Sequence, residues 1–153
     1  MSRLICEGGI AVADIQRLTT ELNVEENMKF MPYTDTVGKL TIGVGRNLTD
    51  NGISRDEAML MLSNDINKVV AAMSENPIYV RLDAVRQNVL LDMAFNMGVN
   101  ALSGFHQMWF RLQQSDYAGA ADAMLDSQWA KQVGIRSARL SQMMRTGQWP
   151  EGI

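Results

Sequence analysis

Ile15, Leu18 and Leu22 recur at three- and four-residue steps and predict an amphipathic helix that ends near Asn23 to Asn27. Glu25 and Glu26 then fall at the helix end or just past it. The next stretch, KFMPYTDTVGKLTIGVGRNLTDNGIS from Lys29 to Ser54, alternates short apolar and β-branched runs with Thr-Val-Gly-Lys and Asp-Asn-Gly turn signals. It predicts a small antiparallel hairpin with room for a third short strand. Ser54 followed by Glu57 is a capping box, opening a helix with Ala58, Met61, Leu62, Ile66 and Val69 on one face. Asn76 and Pro77 interrupt it. Leu82, Val85, Val89, Met93 and Met97 then recur at helical spacing before Gly98, as the buried centre of a helical lobe should. The remainder, to about Met144, reads as short helices punctuated by Gly104, Gly119, Gly134 and Gly147. Strands segregated from helices in this order make the fold class α+β rather than α/β.

Composition narrows the class of protein. The chain is 46% hydrophobic and 20% charged, which is globular rather than disordered. No apolar run approaches the roughly 20 residues of a membrane span, so stable membrane insertion is not expected. Glu7 and Asp14 fall where the apolar region of a classical signal peptide would lie. Cys6 is the only cysteine, so no internal disulfide can form. A net charge of −3 argues against nucleic acid as a partner. The twelve methionines suit irregular core gaps. From Ser127 onward Lys131, Arg136, Arg139 and Arg145 face one acid, Glu151, and the expectation is a locally basic segment that faces an anionic polymer or is an ordinary solvated face.

Breaking a glycosidic bond takes a proton for the leaving oxygen and a second group that stabilises positive charge or directs water. Glu26 at a helix end and Asp35 after a short strand can serve as two such carboxyls on opposite walls of a cleft. With 17 acids in the chain, that pair alone is not distinctive. The whole string ENMKFMPYTDTVGKLTIGVG is. It reads Glu26, eight residues, Asp35, five residues, Thr41, then Ile42-Gly43-x-Gly45, and it closely resembles the catalytic signature of the phage-type, T-even-like lysozymes and endolysins. GISRDEAMLMLSNDI, RLDAVRQNVLLDMAFNMG, LSGF and RTGQW resemble the same family, from about Leu22 to Trp149.

The resemblance implies a two-lobed fold within a single domain over residues 1–153. A small β-containing lobe would span about 24–66, a helical lobe 1–23 and 73–153, and a connecting helix 54–72. It implies a muramidase that cuts between N-acetylmuramic acid and N-acetylglucosamine for host cell lysis. Glu26 would be the general acid, Asp35 the carboxylate on the other side of the sugar, and Thr41 the hydroxyl that helps hold a catalytic water; adjacent Glu25 is the rival for the first role. Thr41 can both donate and accept a hydrogen bond. Phe95, Asn96 and Gly98 resemble the turn beneath the sugar sites, and Arg136 the arginine that pairs with the catalytic glutamate, although helix termination and plain surface charge read as well. Arg46 and Asp65 stand where the family has a structural histidine and aspartate, which implies a salt bridge without pH sensitivity near neutrality. No cofactor and no metal are implied. The partner is bacterial peptidoglycan, the chain a monomer made in the host cytoplasm and acting in the periplasm or cell wall, with holin-dependent release left open.

His106, the only histidine, reads as a helix-start residue, and Trp109, Trp129 and Trp149 as core rather than sugar platforms. The family usually carries glycine after its glutamate; this chain has Asn27, the next most tolerant residue of left-handed backbone. A silent peptidoglycan-binding module and a lytic transglycosylase are the competing readings. Inversion or retention turns on the separation of the carboxyls, about 5 Å or about 6.5–9.5 Å, and the resemblance leans to inversion.

Overall fold

The computed structural model describes residues 13–152, so Cys6 and Glu7 lie outside the described residues. The chain divides into two units, Met1–Ala58 and Met59–Ile153.

In the first unit, Asp14 caps helix α1 (Ile15–Glu25) by accepting the Arg17 N–H at 3.0 Å, satisfying a donor that the first turn would leave without a partner. Strands β1 (Lys29–Thr34), β2 (Leu40–Gly43) and β3 (Arg46–Asn47) form one antiparallel sheet in the order β1-β2-β3. Pro32 lies in β1, an edge strand, and the register slips between Lys29 and Tyr33, as expected where a residue without an N–H enters a ladder.

Asp50-Asn51-Gly52 reads as a turn in sequence, but the chain first makes a one-turn helix, α2 (Leu48–Asn51). Asn47 makes it possible: its side-chain oxygen caps Asp50 N at 3.0 Å, while its amide donates to the Asp50 carboxylate at 2.8 Å. Gly52 follows at φ +57.

The capping box forms in full. Ser54 N donates to Glu57 at 2.7 Å, and Glu57 N donates to the Ser54 hydroxyl at 3.2 Å, opening helix α3 (Arg55–Met73). The boundary between the two units falls inside α3.

The second unit is helical throughout. After Asn76, whose side-chain oxygen accepts from Ile78 N and Tyr79 N, a 3₁₀ turn (Tyr79–Arg81) leads to α4 (Ala84–Met97). Val89 and Met93 on α4 are wholly buried, as their spacing predicts, and with Leu90 form the centre of the core, while Met97 is only partly buried. Five further helices surround it: α5 (Val99–Ser103), α6 (His106–Gln113), α7 (Tyr117–Leu125), α8 (Gln128–Val133) and α9 (Ile135–Thr146). His106 starts α6 as expected.

Packing explains two features that local pattern leaves open. The run Ala118-Gly119-Ala120-Ala121 lets α7 lie close against α9, and the buried Ser141 hydroxyl donates to Ala121 O at 3.1 Å across the contact. Gly119 therefore sits inside α7 and does not punctuate a helix boundary; its N–H goes to the capping carboxylate of Asp116. Methionine fills much of this core: Met73, Met93, Met108, Met124, Met143 and Met144 are all buried. Arg86 closes the unit by donating from Nε to Met144 O at 2.7 Å and from Nη1 to Asp83 at 2.7 Å, with its guanidinium 3.6 Å from the Tyr117 ring centre.

Among the described residues no helix is long and apolar enough to cross a membrane, and no group of three or more His, Cys, Asp or Glu is placed to hold a metal ion.

Candidate active site

Asp35 heads the turn between β1 and β2, and its two carboxylate oxygens have different surroundings. Oδ1 accepts the backbone N–H of Val37 at 3.0 Å and of Lys39 at 2.8 Å, the pattern by which aspartate builds a turn from its own side chain. Oδ2 accepts no backbone N–H and faces the Thr41 hydroxyl at 3.5 Å. The turn itself is anchored: Lys39 Nζ reaches Asp50 at 2.9 Å, and Leu40 N donates to the Thr49 hydroxyl at 2.9 Å, tying the start of β2 to α2. One oxygen of Asp35 is thus consumed by the fold, and the other is held in a fixed direction.

Thr41 is buried, 4% exposed, in a unit whose other side chains are largely solvated. Its hydroxyl has one proton and two candidate acceptors, Lys39 O at 3.2 Å and Asp35 Oδ2 at 3.5 Å. The second distance is at the outer limit of a direct hydrogen bond, and brings the two oxygens close enough for one water lying beside them to bond to both. With its proton on Lys39 O, the hydroxyl keeps lone pairs free to accept from such a water.

Glu26 is the residue on which α1 stops: its N–H still bonds Leu22 O at 2.9 Å, with φ −80. The chain then reverses at Asn27, whose φ of +47 is the left-handed geometry that the family's glycine at this point implied and that asparagine tolerates. The exposed Glu26 side chain lies against the backbone of Gly45, just past β2. Both carboxyls therefore take their positions from β2, Asp35 at its beginning and Glu26 beyond its end. Among the described residues Glu25 makes no hydrogen bond or ion pair with its carboxylate.

Arg46 donates from Nη1 and Nη2 to the two oxygens of Glu57, at 2.8 and 2.6 Å. The acid that holds Arg46 within this unit is Glu57, whose carboxylate the capping box already presents beside β3. The Arg46 hydrogen bond, with help from Ser54 N–H, draws the Glu57 carboxyl down to about 2 from an ordinary value near 4.5.

The remaining candidates lie in the second unit. Phe95 is half-exposed and, with Leu62, Ile66, Leu91 and Arg136, borders a cavity of about 270 Å³. Asn96 accepts the indole N–H of Trp129 at 2.9 Å through its side-chain oxygen, which leaves the amide nitrogen to donate outward. Gly98 ends α4 at φ +91, a conformation that only glycine adopts without strain. Arg136 is held by Asp92 of α4, with Nε at 2.7 Å and Nη2 at 2.6 Å from the same oxygen, and Arg139 approaches the other oxygen at 3.7 Å. Arg145 pairs with Asp122. Three of the four cations in the basic segment are thus met by acids of the same unit, a neutralisation that counting charges along the chain does not reveal. Trp129 is buried and Trp109 half-buried, with its N–H on Leu102 O at 2.9 Å, whereas Trp149 is exposed and departs from the core expectation.

The pattern described as phage lysozyme matches residues 23–145 of the chain. The sequence is 26% identical over 156 residues to a probable T4-type lysozyme 1 of Dictyostelium discoideum, covering 82% of this chain and 92% of that protein. It is 34% identical over 120 residues to the SAR-endolysin of Escherichia phage Mu, covering 76% of this chain and 69% of that one. A third likeness, 26% over 155 residues, is to the pre-baseplate central spike protein Gp5 of Enterobacteria phage T4, where 82% of this chain matches 27% of a much longer one. With its α+β architecture and a family match over most of its length, the chain belongs to the phage lysozyme family, glycoside hydrolases that degrade peptidoglycan.

Proposed function

We propose that the chain is a muramidase that hydrolyses the β-1,4 bond between N-acetylmuramic acid and N-acetylglucosamine, and that it serves host cell lysis. The observation that carries this reading is the division of labour at Asp35. With Oδ1 fixed by two backbone N–H groups, Oδ2 stands 3.5 Å from the Thr41 hydroxyl, so that one water beside the pair can hydrogen-bond both oxygens. Glu26 donates a proton to the leaving oxygen, and Asp35 Oδ2 with Thr41 directs the water that completes hydrolysis. A transglycosylase needs no directed water, and a silent binding module needs neither carboxyl, so this arrangement favours the hydrolase.

Phe95, Asn96, Gly98 and Arg136 are the sugar-binding set. The free amide nitrogen of Asn96 suits an acetamido carbonyl, and the half-exposed ring of Phe95 suits the apolar face of a sugar. The chemistry calls on no cofactor or metal. The chain acts as a monomer on bacterial peptidoglycan, reaching it from the host cytoplasm.

Mass analysis of fragments released from purified peptidoglycan tests the reaction type. Reducing N-acetylmuramic acid ends are expected; 1,6-anhydro ends would replace this reading with transglycosylation.

A further inference from the structure

Gly43 and Gly45 flank Val44 with nearly the same φ, +68 and +70, so a positive φ favours glycine at both. Their surroundings differ. A Cβ on Gly43 would meet nothing within 4 Å. A Cβ on Gly45 would lie 3.0 Å from Glu26 Oε2, 3.2 Å from Cδ and 3.6 Å from Cγ. A side chain at position 45 would therefore press on the Glu26 carboxyl, and of its two oxygens Oε2 is the nearer.

We infer that Gly45 is a positioning residue for the proton donor: its bare backbone is the seat that fixes where the Glu26 carboxyl stands and turns Oε1 toward the bond to be broken. This rests on the reading of Glu26 as the general acid. Asn27 leaves the chain in left-handed geometry immediately after Glu26, so no continuing helix supports the side chain. The seat is supplied by the sheet instead. Any Cβ at 45 displaces the carboxyl by a few tenths of an ångström, and catalytic groups misplaced by distances of that order lose rate steeply.

Gly43 provides the control, because alanine there also meets the strain of a positive φ but does not touch Glu26. Gly43→Ala and Gly45→Ala are to be compared with the native chain and with Glu26→Gln by thermal midpoint, by kcat and KM on soluble peptidoglycan fragments, and by the NMR signal of the Glu26 carboxyl carbon. Gly43→Asn and Gly45→Asn form a second pair, since asparagine tolerates the left-handed region and keeps the comparison open if the alanine variants unfold. The two members of each pair should lose similar thermal stability. The position 45 variants should lose about tenfold or more in kcat beyond their position 43 counterparts, with KM unchanged and the Glu26 signal moved only by substitution at 45. Equal kcat losses at the two positions, or an unmoved Glu26 signal, would overturn the inference while leaving the acid in place. A Glu26→Gln variant with native turnover would overturn the reading of the acid itself, and the inference with it.

Discussion

The guanidinium of Arg46 grips both oxygens of Glu57, at 2.8 and 2.6 Å, and so joins strand β3 to the first turn of α3. Glu57 serves the capping box at the same time, so one carboxylate holds two junctions.

The pair makes folding sensitive to acid. Glu57 has its carboxyl at about 2 in the fold against about 4.5 ordinarily, chiefly through Arg46. A depressed carboxyl stabilises the fold above its ordinary value, and that contribution fades as pH falls from about 4.5 toward about 2. Thermal midpoints measured across this window should fall more steeply for the native chain than for Glu57→Gln, whereas Asp65→Asn should keep the native slope.

Asp35 permits its structural and chemical roles to be separated. Asn at this position keeps an oxygen for the Val37 and Lys39 N–H groups but loses the charge that faces Thr41. Asp35→Asn should unfold close to the native midpoint and lose about 10²–10⁴-fold in turnover. Asp35→Ala should lose that turnover and also destabilise the chain by about 1–2 kcal/mol, because two N–H groups lose their acceptor. Urea unfolding together with turnover assays on both variants checks this.

Arg86 joins the start of α4 to the end of α9 and stacks on Tyr117. Arg86→Ala should cost about 2–3 kcal/mol in urea unfolding, since it removes charge-assisted bonds to Met144 O and Asp83 and the ring contact together. Arg17→Ala, which breaks an exposed pair with Glu21 on α1, should leave stability nearly unchanged.

Met93 is wholly buried at the centre of the helical core. Met93→Ala should destabilise by about 2–5 kcal/mol, and Met93→Leu by less than about 1.5 kcal/mol, because only the former opens a cavity. Calorimetric midpoints of the two variants distinguish them.

Much of this was legible in the sequence because it is local. The Ser54–Glu57 box, the buried face of α4 and the Thr-Val-Gly-Lys turn after Asp35 are each written within a few residues. The left-handed Asn27 was legible through the family resemblance, which has glycine at that point. What escaped were partners chosen by folding. Asp92 lies 44 residues from Arg136, and nothing near either announces the other. Glu57 answers Arg46 because capping had already positioned it. Gly43 and Gly45 look alike in the motif, and only the three-dimensional neighbourhood shows that one of them carries Glu26. The helix α2 was missed because its cap, Asn47, belongs to a two-residue strand with no pattern of its own.

Glu26 is the proposed source of the proton that breaks the glycan strand. The most direct test of that role is the rate at which the native chain and Glu26→Gln release soluble fragments from purified peptidoglycan, with folding of both confirmed by circular dichroism. Release by the native chain and a loss of at least about 10²-fold in the folded Glu26→Gln are expected. A Glu26→Gln variant that releases fragments at the native rate, or a native chain that binds the wall and releases nothing, would contradict it.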